Sequence, residues 1–507
     1  MSSKIENSYK KRKKAHKKRT KNNFEEEKND EKIIRQKSNK TINKKKIAEP
    51  QIVKEKEHID KKENEEESKK QISRPDKKRE KENKTKKKKS SLIIIIISII
   101  VLLLLGLLSV YLINEDKKQK ELERQEKLKN EIISKYNEYV VTNNNTFLYE
   151  FIDNKYIEVG EVGQNVNLEL EEIEITHETK YFKIKDTNYF VEYKQILPSE
   201  KKEINDRYKS FVVFNKNIIT KDKTSFYKEN GDLFITINKS YNLPIIINEK
   251  DKYGVEFYNQ LLYVKKEDVK EEKKVTNTKE ETRTNIRTLT YHTVYIPEKE
   301  SCTNSAVCHP IKKFEEQMKY LHDKKYLTLT MEELEMFLDG KIRVPKKTIV
   351  ITLDDGRRLN NSVPIVEKYG IYSTFFVITS KYSIEKYKDS KYARFESHTD
   401  DLHHNYKCNS GYYGGQMLCE KYDNIIKDLK LSQEKLGGSH YFAYPFFDSN
   451  AHAIKALKET GFKMAFIGEY TSNGYSTGKT DRFQLRRKTI FGTDGLSVLK
   501  SYLAESE

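Results

Sequence analysis

The first 90 residues of this 507-residue chain lack clustered apolar side chains; Lys, Glu, Asn, Arg, Gln and Ser dominate, and Ile and Val stand mostly alone. Such a segment cannot bury enough apolar surface to offset its ordering entropy, so residues 1–90 are expected to be a disordered basic tail rather than a folded domain. Aromatic rings are scarce there too. Tyr9 is the only Tyr, Phe or Trp beside Lys10 to Lys14 and Lys17 to Arg19, and one ring is a poor stacking platform, which argues against nucleic acid as a partner. A net charge of +19 would suggest a nucleic-acid binder if it were spread evenly, and it is not.

Long apolar runs are missing as well, with one exception. Leu92 to Ile113 is Ile and Leu apart from Ser98, Val101, Gly106, Ser109, Val110 and Tyr111, and it contains no charge. At helical rise it spans about 33 Å, enough for a bilayer core. Lys84 and Lys86 to Lys89 precede it and Asn114-Glu115-Asp116 follow, so a transmembrane helix at 91–113 is expected, with the amino terminus cytoplasmic and the remainder outside the cell. The alternative, a cleaved signal peptide, would have a shorter apolar region nearer the chain start. The tail then faces the membrane surface, where Lys-rich segments meet anionic lipid.

Residues 114–136 lack Gly and Pro and suit a helical stalk. Short alternating segments follow, and a weak repeat is visible among them. Thr146-Phe147-Leu148-Tyr149 with Tyr189-Phe190-Val191 resembles Thr224-Ser225-Phe226-Tyr227 with Leu262-Tyr263-Val264, at an offset of 73 to 78 residues. Two small β modules are expected, at 137–200 and 201–269; they resemble the bacterial SH3-type barrels that accompany cell-wall enzymes, either as wall binders or as spacers. A linker at 270–285 leads to the last domain.

Residues 286–507 alternate strands and helices, the pattern of a parallel sheet or barrel. Strands are expected near Arg287–Tyr291, Thr348–Leu353, Thr374–Ile378, Tyr441–Tyr444 and Met464–Ile467, with the longest helix at Gly415–Leu436. Asp354 and Asp355 fall at a strand end, where catalytic groups gather in such folds. Asp-Gly is also a common turn dipeptide, so the pair alone is ambiguous. Histidine is sparse, 11 in all, yet His398, His403 and His404 crowd one polar loop. Two imidazoles and a carboxylate bind zinc and leave a position open for water.

From Thr290-Tyr291-His292 onward the chain resembles the polysaccharide deacetylases of the NodB-homology type, carbohydrate esterase family 4. Within that family it is most similar to the branch acting on poly-β-1,6-N-acetylglucosamine, through Tyr291-His292, the Phe314 to Leu321 helix and the Asp354-Asp355-Gly356 strand end, with Leu353 where that branch has Phe. The resemblance implies a distorted (β/α) barrel, so that the whole is an α/β enzyme domain preceded by a transmembrane helix and two all-β SH3-like modules. It implies Asp354 as general base and Asp355, His398 and His403 as ligands of zinc (Zn2+) or another divalent transition metal. The five-residue step from His398 to His403 is that of the same branch, and favours His403 over His404. Ala443-Tyr444-Pro445-Phe446 resembles the turn that lines the sugar site, which implies a Tyr444 N–H for the oxyanion.

Three features of the family are missing. No arginine immediately precedes that turn, which would leave Asp354 without an orienting partner; Phe447 stands where glycine is common; and no Leu-His pair lies near the end of the chain. His292 is the expected substitute acid, the alternative being that Asp354 carries both proton transfers. The implied substrate is an N-acetylglucosamine polysaccharide, with peptidoglycan as the rival and an inactive wall-binding protein as the non-enzymatic reading. All four cysteines, Cys302, Cys308, Cys408 and Cys419, follow the apolar run, and two disulfides are expected, with thiolate zinc ligation as the alternative.

Overall fold

The computed structural model describes residues 87–504 apart from 137, 145, 172–180, 203–204, 277–280 and 469–473. The basic tail up to residue 86 lies outside the described residues. The apolar run and the stalk form one continuous helix, Lys87–Lys135, long and apolar enough to cross a membrane. The large apolar side chains from Ile97 to Ile113 are all exposed, Leu102 to 68%.

Residues 139–274 contain two β units built on one plan. In the first, Tyr139–Thr142 pairs with Asn167–Glu169 and Ile196–Pro198, while Thr146–Ile152 pairs with Lys155–Val162 and Tyr189–Glu192. In the second, Lys216–Thr220 pairs with Asn242–Asn248 and Val269–Lys274, while Thr224–Tyr227 pairs with Leu233–Ile237 and Gln260–Lys265. A single 3-10 turn precedes the last strand of each, at Tyr193–Gln195 and Lys266–Asp268. The sequence repeat is therefore a repeat of strand pairing.

The units are not free-standing modules. Leu233–Ile237 pairs with Lys155–Val162 and merges most of both units into one 11-stranded sheet. Glycine permits this seam: a Cβ on Gly160 or Gly163 would sit 2.0 or 1.9 Å from a carbonyl oxygen of Leu233–Ile237. The expected linker also starts late. Lys270 to Lys274 belong to an edge strand, whose charged side chains suit its exposed position.

The last domain is a closed parallel barrel of seven strands: β1 (Ile286–Tyr291), β2 (Thr348–Leu353), β3 (Ser373–Val377), β4 (Ala393–Ser397), β5 (Tyr441–Ala443), β6 (Met464–Gly468) and β7 (Leu485–Thr489). Each pairs in parallel with the next, and β7 closes on β1. Every residue of β1, β2 and β3 is buried, as expected of strands covered on both faces. Helices α1 (Ile311–Asp323), α2 (Met331–Leu338), α3 (Leu359–Tyr369), α4 (Tyr422–Lys435), α5 (Ala451–Glu459) and α6 (Leu496–Ala504) complete the domain. Phe314, Met318 and Leu321 of α1 join Leu289, Ile349 and Ile351 of the barrel in one core cluster. Thr330 and Glu333 form a capping box that starts α2.

Two differences from expectation bear on the site. Helix α4 begins at Tyr422 instead of Gly415, because Tyr413–Gly415 pairs with Asn405–Lys407 and a 3-10 turn follows. Strands β4 and β7 were not anticipated: both are short and carry charged residues, Arg394 and Glu396 in one, Arg486, Arg487 and Lys488 in the other.

Candidate active site

The site forms where the barrel strands end. β2 runs out at Leu353, and the Asp354 N–H continues the ladder by one bond, donating to the Tyr291 carbonyl at the end of β1, at 3.0 Å. The chain then turns through left-handed conformations at Asp355 (φ 74°) and Gly356 (φ 78°). A Cβ on Gly356 would meet Val377 Cγ1 at 2.8 Å, so glycine is required there on both counts. Adjacent aspartates on an extended strand would point to opposite faces; this turn gives each its own set of partners.

Asp355 meets the histidines. Its Oδ1 lies 3.7 Å from His398 Nε2 and 3.5 Å from His403 Nε2, and the three ligand atoms all fall within 4.8 Å of one another. His398 follows directly on β4, and its Nδ1–H donates to the Ala443 carbonyl at 2.7 Å, which leaves the Nε2 lone pair facing Asp355. Burial pushes both imidazoles down, His403 to about 3, and so keeps them neutral. Burial would raise Asp355, but in acid, where imidazoles carry protons, the charges of His403, His292 and His398, with Arg357, outweigh it and hold the carboxyl at about 2. Two neutral imidazole nitrogens and one ionised carboxylate, His398 buried and the other two partly so, fit a divalent transition metal.

The loop between the two histidines is held from outside. Asp428 of α4 accepts the N–H groups of Asp400, Asp401 and Leu402 at 2.9, 2.7 and 3.2 Å. One face of the same helix adds Ser432, bonded to Ser397 at 2.7 Å, and Lys435, paired with Asp400 at 2.6 Å. Sequence reading did not single out these three. His404 points elsewhere: it is 40% exposed and lies 3.6 Å from Asp401.

Asp354 meets an arginine. Arg487 of β7, fully buried, forms a two-pronged pair with it at 2.6 and 2.9 Å and also reaches Thr290 Oγ1 at 3.1 Å. The expectation that Asp354 lacks an orienting arginine is thus corrected; the group arrives from a strand 133 residues further on. Burial would raise the Asp354 carboxyl, yet the guanidinium, then His398 and His292, hold it below the ordinary carboxylate range. Rings of Phe447, Phe376 and Phe466 surround the guanidinium at 5.2 to 5.9 Å.

The remaining expected residues fall as follows. His292 follows β1, half-buried, its ring 6.0 Å from that of Phe447, with Nδ1 lacking a hydrogen-bond partner among the described residues. Tyr444 is fully buried, and its N–H donates to the Phe466 carbonyl at 3.1 Å, so the N–H expected to meet an oxyanion is already spent on the sheet. Phe446 and Phe447 follow with φ of 58° and 63°, which explains why glycine would suit position 447; Phe446 lays its ring 4.7 Å from that of His403. The cysteines form Cys302–Cys308 and Cys408–Cys419, which removes thiolate ligation; the second bridge closes the hairpin beyond the histidine loop.

Comparison with known proteins agrees with this geometry. Residues 341–465 match the polysaccharide deacetylase family model. YxkH of Bacillus subtilis, described as a polysaccharide deacetylase, is 30% identical over 193 residues, covering 36% of this chain and 65% of its own. Poly-beta-1,6-N-acetyl-D-glucosamine N-deacetylase of Staphylococcus aureus is 31% identical over 176 residues, covering 30% and 58%. The chain thus spans less than two thirds of the length of the curated relatives it matches. The solved structure of IcaB from Ammonifex degensii aligns with 44% of this chain and 97% of its own, at 23% identity and a TM-score of 0.37. By shared sequence, residues 341–465 belong to the polysaccharide deacetylase family, within a parallel barrel that gathers the carboxylates and histidines.

Proposed function

We propose that this chain is a membrane-anchored, metal-dependent N-deacetylase that removes acetyl groups from N-acetylglucosamine residues of a polysaccharide outside the cell. The observation that carries the reading is the division of labour between two adjacent aspartates: Asp355 faces two neutral imidazoles, and Asp354 is held by Arg487. An inactive domain has no use for that arrangement, and Arg487 gives Asp354 the arginine partner that the turn itself lacks.

A divalent ion such as Zn2+ would be held by Asp355, His398 and His403 and would supply a polarised water and a Lewis acid for the acetyl carbonyl. Asp354, ionised and aimed by the guanidinium, takes the proton of the attacking water. Breaking the C–N bond then requires a proton on the leaving amine, from His292 or back from Asp354. His292 is suited by place, since it follows Tyr291, whose carbonyl accepts the Asp354 N–H. The products are acetate and a glucosamine unit.

The Staphylococcus aureus relatives support poly-β-1,6-N-acetylglucosamine as the polymer. The exposed Leu and Ile side chains of Ile97–Ile113 support the membrane, since lipid removes the cost of their contact with water. The lysines before the run support a cytoplasmic amino terminus. The test is acetate release by the full chain in detergent, stripped with chelator and then given zinc, on poly-β-1,6-N-acetylglucosamine and on peptidoglycan. Zinc-dependent release from the first polymer is expected, and no release from either would sink the reading.

A further inference from the structure

The two β repeats are alike in pairing and unlike in what covers one face. Tyr149 stands opposite Phe190 in the first, as Tyr227 stands opposite Tyr263 in the second. In the second repeat that face is used: Tyr263 is 3% exposed and sits in a core cluster with Met331, Leu334 and Leu338 of α2. In the first repeat the same face carries five rings packed on one another. Tyr156 stacks on Tyr181 at 4.0 Å, Phe151 and Phe190 lie 4.9 and 5.2 Å from Tyr156, and Tyr149 lies 4.9 Å from Tyr181. Strand alternation puts them opposite Leu148, Phe182 and Val191, the buried side of the unit. Phe151, near the hairpin tip, is 50% exposed.

A solvent-side sheet face ordinarily carries polar residues, so five rings there call for a ligand. Charge narrows the choice. Glu158 lies opposite Tyr149 and Glu192 opposite Tyr181, on the same face as the rings. Neither carboxylate has an ion pair among the described residues, whereas the neighbouring Lys183 is bound to Glu171 at 2.5 Å. Flat rings beside unpaired carboxylates suit a ligand with apolar faces and cationic groups. Sugar rings offer C–H faces that bury on aromatic rings, and glucosamine adds an ammonium where N-acetylglucosamine is neutral.

We propose that this face of the first repeat binds the cationic, partly de-N-acetylated glucosamine polymer that leaves the barrel. It tethers a strand already worked on, so that untouched residues of the same strand reach the site at raised local concentration. The identity of the polymer as product rests on the deacetylase reading; the platform itself does not.

The test titrates the full chain in detergent, carrying Asp354→Asn to stop turnover, with a glucosamine hexamer and an N-acetylglucosamine hexamer by calorimetry. The glucosamine hexamer should bind more tightly. Phe151→Ala should weaken it about fivefold to tenfold, and Glu158→Gln with Glu192→Gln should erase the preference. Without the Asp354 change, these surface variants should release acetate from the N-acetylglucosamine hexamer at the parental kcat. Phe151 is exposed and glutamine matches glutamate in shape, so an unchanged melting temperature is expected of each. Glucosamine binding indifferent to all three substitutions would overturn the proposal. So would loss of a self-associated species in sedimentation, which would make a second copy the occupant. Glucosamine binding that depends on Phe151, in a chain that releases no acetate with zinc, would support the platform and refute the deacetylase reading.

Discussion

The β4 and β7 sides of the barrel treat two adjacent carboxylates in opposite ways. On the β7 side, Asp354 meets a permanent cation fixed within a strand, fully buried and ringed by aromatics. On the β4 side, Asp355 meets two imidazoles kept neutral by burial, one of them on a loop. A cation beside a carboxylate fixes its orientation and keeps it ionised; neutral nitrogens beside a carboxylate leave lone pairs for a metal. On the proposed function, one peptide bond therefore separates a group suited to accept a proton from one suited to hold an ion.

The strongest way to break this contrast is on the β4 side. His398→Ala or Asp355→Ala is expected to abolish stoichiometric metal binding and to lower acetate release by at least about a thousandfold, since no activated water remains. Metal analysis of the dialysed protein beside its turnover checks this. Asp354→Asn should do the reverse, keeping one metal per chain while turnover falls by about a hundredfold to ten-thousandfold. Metal loss in that variant would mean the two carboxylates share one role.

Arg487→Met probes the β7 side itself. It leaves the Asp354 carboxylate buried without a partner, a change that costs about 3–5 kcal/mol, and adding Asp354→Asn should recover most of that stability without restoring turnover. The pH profile supplies a second readout. Arg487 holds the folded pKa of Asp354 below its ordinary value, so its stabilising contribution is present above that ordinary value and lost as pH falls through the folded one. Without Arg487 the folded pKa rises, and the acid limb of acetate release in the single variant should move to higher pH. An unmoved limb would show that the guanidinium does not set the ionisation of the base.

The same contrast explains what could be read from the sequence. Asp354, Asp355, His398 and His403 are legible because short-range spacing places them, on one strand end and one loop. The apolar run is legible because 22 uncharged residues have few other uses. Arg487 is not: it lies in a five-residue strand reading Leu-Arg-Arg-Lys-Thr, which looks like a solvated surface, and only closure of the barrel carries it to Asp354. The Tyr444 N–H failed as an oxyanion donor for a related reason, since β5 continues one hydrogen bond further along β6 than the motif suggests. The β repeat was visible in side-chain pattern, but its edge-to-edge seam depends on Gly160 and Gly163, which a pattern of apolar residues does not register.

Asp428→Asn sharpens the comparison with the smallest expected effect, about tenfold weaker metal binding. His398 is fixed at a strand end, whereas His403 depends on the loop, whose three successive N–H groups all donate to the Asp428 carboxylate. Asparagine offers one oxygen in place of two and turns an amide N–H toward a backbone donor, so at least one of the three loses its acceptor. Burial pushes Asp428 up to about 6 even with these hydrogen bonds, so the parent's grip should loosen as pH falls through about 6. The metal dissociation constant, measured by chelator competition between pH 5 and 8, should then show a step near pH 6 in the parent. Asp428→Asn should lack that step. Equal affinities and equal pH dependence in the two proteins would mean that His403 needs no support from α4, and that the loop side of the site is as rigid as the strand side.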